Sequence, residues 1–427
     1  MAQEIMLDVL LSYQNVLVTS ERKLLYLLAE VRPSDTLTGG AAALNLAIVL
    51  DKSGSMYAAR KLDYVKNAVQ YVIDQLRPTD ICSIVAFADK ARVLIPSGQL
   101  YDKEQAKRMI RNIDQIDVGS GTEMLKGITA GVDQVRQAFS PDRMNHVVLL
   151  TDGLTQAERK CKDKCIEGTR DGVSFSTIGV GDDFNEELLL GIANGCRGKS
   201  YYIDDPRDIP QIFAQELAGV QSVVVRNPRL KIKLSKDIGI RRAFKVKPLI
   251  NDLGQVAMQE REAVVVLNDL QANEQQSVLF ELELPSRQAG TYRIASVECM
   301  YDLPAQGVRD ASMSRDVLVG YTPDPALASV VHPSVMNVVD LVSVFRQQTK
   351  ALELAQSGDR ARATQLLRSA ATTLLDRGQK ELAEQALQEA QRIETGVAAS
   401  SAGTKKLQYG TRKLTQLLDQ LPPPPVS

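Results

Sequence analysis

Between Leu44 and Leu217 the chain alternates short apolar runs with amphipathic stretches, and no other feature narrows the fold as much. Runs at 44–51, 81–88, 91–95, 145–151, 173–180 and 199–203 predict strands. Several are near-continuous in Val, Ile and Leu, as strands buried on both faces require. Helical spacing at 58–76, 103–114, 122–138, 185–195 and 208–218 predicts helices between them. In the first of these, Leu62, Val65, Ala68, Val69, Val72, Ile73 and Leu76 form one apolar face. Repeated units of this kind predict an α/β domain over 42–217 with a doubly wound, mostly parallel sheet.

The flanks read differently. Ile5, Leu7, Val9 and Leu11 alternate with Met6, Asp8 and Leu10, and Leu24 to Val31 forms a second strand pattern. Pro33 to Gly40 carries the turn residues of a linker. After Gly219 only strand patterns return. Leu230, Ile232 and Leu234 alternate with lysines, Val278 to Leu284 alternates in the same way, and 291–300 and 314–321 follow. Such a set predicts a β-sandwich. Two strands alone make no stable domain, so 1–40 and 219–322 are expected to form one sandwich into which the α/β domain is inserted. From 333 to 421 the chain reads as an α-helical module. Its turns are at Gly358 and Gly378, and its core stripe is Ala363, Leu366, Leu367, Ala370 and Leu374. The small, polar stretch 394–404 is expected to be a flexible loop. A last helix over 405–421 should stop at the proline-rich tail, 422–427. The helix-turn-helix spacing is reminiscent of tetratricopeptide repeats but does not meet their consensus of about 34 residues.

A length of 427 residues calls for more than one domain, and a composition 44% hydrophobic and 24% charged is that of a globular protein. The formal net charge of -1 gives no bulk attraction to nucleic acid or to an anionic membrane. No apolar run reaches the ~18 residues of a membrane span, and the first residues lack the basic and apolar regions of a secretory signal. Five scattered cysteines, an odd number, fit a reducing compartment. The expected location is cytoplasmic.

The first strand of the α/β segment ends in Asp51-Lys-Ser53-Gly-Ser55-Met56. Further on come Gly119-Ser-Gly-Thr122 and, after His146-Val-Val-Leu-Leu-Thr, Asp152-Gly153. Asp51, Ser53, Ser55, Thr122 and Asp152 thus fall where loops leave the carboxyl ends of buried strands, the ligand-binding edge of an open parallel sheet. The set has no His or Cys, so it suits a hard divalent cation such as Mg²⁺ better than Zn²⁺. Alternate side chains of an Asp-x-Ser-x-Ser loop point the same way, and Gly54 permits the tight backbone between the serines. Each residue also has a plainer reading, and Thr122 is a good N-cap. Asp51 resembles the nucleophile of haloacid-dehalogenase-type phosphohydrolases, but Ser53 stands where their acid would be. Gly119 to Thr122 lacks the Gly-Lys-Ser/Thr of a phosphate loop. Cys161 and Cys165 lack the further ligands of a zinc site. His146 and His332 read as structural, and Lys405-Lys406 with Arg412-Lys413 as a solvated face.

In order and spacing, the five oxygen-bearing residues closely resemble the metal-ion-dependent adhesion site of von Willebrand factor A (VWA) domains. Leu76-Arg-Pro-Thr-Asp80-Ile-Cys-Ser-Ile-Val-Ala-Phe87-Ala-Asp89 is similar to that family's second strand with its preceding turn. Gly179-Val-Gly181 and Asn185-Glu-Glu-Leu188 are similar to a late strand-to-helix junction. The flanking layout resembles bacterial VWA proteins and, more loosely, inter-alpha-trypsin-inhibitor heavy chains. By this resemblance Ser53, Ser55 and Thr122 bind Mg²⁺ (or Mn²⁺ or Ca²⁺), and Asp51 and Asp152 bind it directly or through water. The resemblance further implies a non-catalytic adaptor or scaffold that engages an Asp or Glu of a partner protein, with AAA-type ATPases or signalling assemblies as partners. The alternatives are an Mg²⁺-dependent phosphohydrolase using Asp51 and a metal-independent structural assembly protein.

Overall fold

A computed structural model of the chain describes residues 4–19, 21–35, 37, 42–397 and 400–420. It divides into two compact units, Thr38–Arg226 with Leu303–Arg309, and Met1–Leu37 with Asn227–Asp302 and Asp310–Ser427. The chain opens with β1 (Ile5–Leu11), β2 (Asn15–Leu17) and β3 (Lys23–Pro33).

The α/β unit then runs β4 (Ala43–Asp51), α1 (Lys61–Gln75), β5 (Ile81–Phe87), β6 (Ala91–Gln99), α2 (Lys103–Arg111), α3 (Met124–Gln137) and β7 (Arg143–Thr151). It continues with α4 (Glu158–Arg170), β8 (Ser174–Val180), α5 (Glu186–Gly195), β9 (Arg197–Ile203) and α6 (Ile209–Gln221). The sheet order is β6-β5-β4-β7-β8-β9, parallel throughout except for the antiparallel edge strand β6. The chain moves outward from β4 to β5 and β6, then returns on the other side of β4 as β7. The strand order therefore reverses between β4 and β7, and the carboxyl ends of those two strands border the resulting crevice. Helices α1, α2 and α6 group on one face, and α3, α4 and α5 on the other. Leu44, Leu46, Ile48 and Leu50 of β4 pack with Val65, Val69, Phe213 and Leu217. On the opposite face, Val49 lies against Gly131 of α3. Burial on both faces is why β4 reads as an unbroken apolar run.

Three local expectations are corrected in this unit. The first helix begins at Lys61 and not at 58, because Gly54–Arg60 is a 3-10 turn with Ala59 and Arg60 in left-handed conformations (φ 50° and 57°). Helix α4 lies where no helix was expected. Helix α6 runs past 218 to Gln221.

Beyond α6 the chain runs β10 (Val223–Leu234), β11 (Gly239–Lys247), β12 (Asn251–Gly254), β13 (Glu262–Val266), β14 (Leu270–Gln271), β15 (Gln276–Leu284), β16 (Gly290–Leu303) and β17 (Val308–Thr322). One sheet is ordered β1-β3-β15-β11-β12 and the other β13-β10-β16-β17-β2. Strand β3 pairs on one side with β1 and on the other with β15, from Lys23–Leu284 to Val31–Gln276. Strands β2 and β11 to β14 add to the six sandwich patterns read at the N-terminus and after Gly219.

Helices α7 (Pro325–Ala328), α8 (Pro333–Gln356), α9 (Arg360–Asp376), α10 (Lys380–Glu394) and α11 (Ser401–Arg412) follow. Gly358 and Gly378, both at positive φ, make the two tight turns that α8, α9 and α10 need. Leu28, Phe244 and Leu279 of the first sheet share a core with Val338, Leu341, Phe345 and Leu367 of the helices. Leu25, Leu27, Ala29 and Val31 point the other way and are also buried. The loop expected over 394–404 is shorter than that, because Ser400 caps α11 by accepting from Gly403 N at 3.0 Å. The last helix ends at Arg412 and gives way to a 3-10 segment, Leu414–Gln420. The tail 422–427 lies outside the described residues.

Candidate metal centre

Asp51 is the last residue of β4 and Asp152 follows β7 directly, so the two carboxylates stand at the switch point of the sheet. Both are fully buried, Ser53 nearly so, Thr122 half-buried and Ser55 exposed. The oxygens thus rise from a closed floor to an open mouth. The Ser53 amide donates to Asp51 Oδ1 at 2.8 Å, and the Thr151 hydroxyl donates to Asp51 Oδ2 at 2.5 Å. Ser53 Oγ and Ser55 Oγ are 3.0 Å apart, and Ser55 Oγ donates to Asp152 Oδ1 at 2.7 Å. Thr122 Oγ1 lies 3.1 Å from where a Cβ on Gly153 would stand, so its loop reaches the Asp152 side of the crevice. The structure brings Asp51, Ser53, Ser55 and Asp152 into one hydrogen-bonded group and sets Thr122 beside it.

The donor set fits a hard cation. Cis oxygens of an octahedron with metal bonds of about 2.1 Å are separated by about 3.0 Å, and the spacings among Ser53, Ser55 and Asp152 are 2.7 and 3.0 Å. Burial pushes the Asp51 carboxyl up to about 6, against the pull of hydrogen bonds from Ser53 and Thr151. A cation relieves that cost, because it supplies charge where water has been excluded. Among the described residues no three His, Cys, Asp or Glu side chains gather as a metal cluster. The site combines two carboxylates with hydroxyls, a chemistry suited to Mg²⁺ more than to Zn²⁺.

Three supporting residues were not singled out from sequence. Thr151 holds Asp51. Asp89, just beyond β5, accepts from the amides of Ser120 and Gly121 at 2.8 and 3.2 Å and so shapes the loop that carries Thr122. Those amides are spent on a carboxylate, which leaves the glycine-rich loop no phosphate cradle. Lys61, at the start of α1, places Nζ 2.6 Å from Asp152 Oδ2. The sequence signal for Asp89 is an acid just after a buried strand, at the end of the family-like stretch from Leu76, and for Lys61 there is none.

The other candidates fall elsewhere. His146 lies in β7 with Nδ1 2.7 Å from Ser174 Oγ and Nε2 2.9 Å from Glu216 Oε1, a buried strut between β8 and α6. Cys161 and Cys165 are free thiols on the buried side of α4. His332 directly precedes α8.

Residues 45–215 match the von Willebrand factor type A domain family, and residues 333–417 match the Sll0103-like, C-terminal alpha-helical domain family. Protein sll0103 of Synechocystis sp. is 28% identical over 339 residues, which cover 77% of this chain and 78% of that protein. Protein YfbK of Escherichia coli is 26% identical over 276 residues, 62% of this chain but only 45% of YfbK. A solved von Willebrand factor type A protein from Catenulispora acidiphila shares the fold with a TM-score of 0.78 over 96% of both chains, at 18% identity. The chain therefore contains a VWA domain at 45–215 and an Sll0103-like helical domain at 333–417.

Proposed function

We propose that the protein is a divalent-cation-dependent adaptor or scaffold that engages a partner protein through Asp51, Ser53, Ser55, Thr122 and Asp152. The observation behind this reading is the grouping of Asp51, Ser53, Ser55 and Asp152 at the switch point, with Thr122 beside them, buried below and open above. VWA domains typically mediate metal-dependent protein interactions. In this reading the five residues hold Mg²⁺, or Mn²⁺ or Ca²⁺ in its place. The bound ion supplies a Lewis-acidic position for an Asp or Glu carboxylate of the partner. The hydroxyls of Ser53, Ser55 and Thr122 add no negative charge, so the site keeps its attraction for that carboxylate. Such a contact is strong where docking also removes water from it. AAA-type ATPases and signalling assemblies are the partner classes to examine first.

The test is affinity capture from native lysate by the wild type in Mg²⁺, the wild type in EDTA, and Thr122→Ala in Mg²⁺. The expected result is one set of proteins recovered only by the first. Equal recovery in all three would exclude metal-mediated recognition and favour an assembly protein that binds through other surfaces.

A further inference from the structure

Lys61 stands in the cation site itself. Its side chain is 13% exposed and that of Asp152 is fully buried, and the two make a 2.6 Å ion pair. The two left-handed residues before it, Ala59 and Arg60, turn the chain just ahead of α1. Lys61 Nζ is also 3.5 Å from where a Cβ on Gly181 would stand, so the ammonium sits in a niche between the ends of β7 and β8. The neighbouring Lys52 directs its ammonium elsewhere, over the ring of Tyr57 at 5.5 Å. Arg60 pairs with Asp63.

We propose that Lys61 is a built-in competitor of the divalent ion: its ammonium neutralises Asp152 while the site is metal-free and lowers the site's affinity for the metal. The inference rests on the reading that the five oxygens take a divalent cation. Charge decides the direction. Asp51 and Asp152 bring two negative charges, and Lys61 offsets one of them, so an incoming ion meets a weaker attraction than it would otherwise find. At this depth that charge is poorly screened by water and salt. A tethered cation also needs no encounter to bind, so it holds Asp152 until enough divalent ion is present to share or displace it. The device keeps the metal-free loops ordered and makes loading depend on ion concentration.

The experiment compares the full chain with Lys61→Met, which keeps the apolar stem and the helix propensity, and Lys61→Arg, which keeps the charge. Calorimetric titration with Mg²⁺ after EDTA stripping should show Lys61→Met binding about tenfold or more tighter than wild type, within the usual range of coupling between sites. Lys61→Arg should bind no tighter than wild type. Thermal melts supply a second readout. In EDTA, Lys61→Met should melt below wild type, because Asp152 has lost its charged partner, and Mg²⁺ should raise its melting temperature by more than it raises that of wild type. Equal or weaker Mg²⁺ binding by Lys61→Met overturns the inference while leaving the metal site in place. An absence of Mg²⁺ binding in wild type and Lys61→Met alike overturns both the inference and the reading beneath it.

Discussion

Two carboxylates without full water access need fixed donors, and each donor at this site has a calculable role. Thr151 gives Asp51 Oδ2 a hydrogen bond from a fully buried hydroxyl. Thr151→Val keeps the shape and removes that donor. The expected cost is about 1.5–3 kcal/mol of stability, as for other buried hydrogen bonds to charged groups, together with a several-fold weaker Mg²⁺ isotherm. Urea denaturation and calorimetry check the two effects separately, and a variant as stable as wild type would refute the assigned role. Glu216 offers a pH test away from the metal ligands. Burial alone would raise its carboxyl, but hydrogen bonds from His146, Ser176 and Tyr201 and the charge of His146 outweigh it and hold the group down at about 2. The folded value lies below the ordinary 4.5, so this stabilisation is complete above about pH 5 and is lost as pH falls towards 2. Glu216→Gln should therefore melt lower than wild type at pH 7 but lose less stability between pH 5 and pH 3. Parallel losses in the two proteins would mean that acid sensitivity arises elsewhere. Residues of this kind set the limit of sequence reading. Asp51 and Asp152 are legible because apolar strands deliver them to a ligand-binding edge. Thr151, Lys61 and Glu216 are not, since their partners lie 15 to 100 residues away and only the folded chain brings them together.

At the scale of elements, the position of the site depends on how closely α3 sits on the sheet, because α3 follows the Thr122 loop. A Cβ on Gly127 would stand 2.5 Å from Phe87 Cδ1 in a fully buried contact. Gly127→Ala should destabilise by up to about 2 kcal/mol net, since overpacking costs about 1–3 kcal/mol against the ~1 kcal/mol that Ala gains within a helix. Gly195, at the end of α5, has nothing within 4 Å of the same position. Gly195→Ala should therefore be neutral or stabilising, and chemical denaturation of the pair separates packing from propensity. If both substitutions shift the midpoint alike, close packing under α3 is not the cause. The strands of this unit were legible because burial on both faces leaves them uniformly apolar. Helix α4 was not, since it buries only Cys161, Cys165 and Gly168 and meets Phe175 with a glycine, leaving no apolar stripe to read. The start of α1 is obscured in the sequence for the opposite reason. Met56 to Arg60 includes good helix formers, yet the loop that carries Ser53 and Ser55 holds them in a 3-10 turn with left-handed residues.

Over the whole molecule, the sandwich draws on both ends of the sequence, and its stability should depend on residues that precede the VWA domain. Strand β3 is an interior strand of its sheet. It carries Leu25, Leu27, Ala29 and Val31 on one face and Leu28 on the other, and Leu28 belongs to the core shared with the helical module. Deleting residues 1–35 removes β1, β2 and β3 together; it takes the edge strand β2 from beside β17 and leaves β15 without its neighbour on that side. Its apolar residues would then have an open edge beside them, which invites aggregation. The α/β unit has its own sheet and its own core of Leu44, Ile48, Val69 and Phe213, and none of its strands pairs with β1 or β3. The expected outcome is asymmetric. The deleted chain should keep one cooperative unfolding transition and Mg²⁺ binding, while losing the second transition and the near-ultraviolet signal of the tyrosines in β16 and β17. Residues 42–226 expressed alone should melt cooperatively and bind Mg²⁺ as the full chain does. If the deleted chain instead retains both transitions, β3 is not an essential strand of the sandwich. If 42–226 fails to fold alone, the α/β unit depends on the flanking sequence for its stability, and the two compact units are then one cooperative structure.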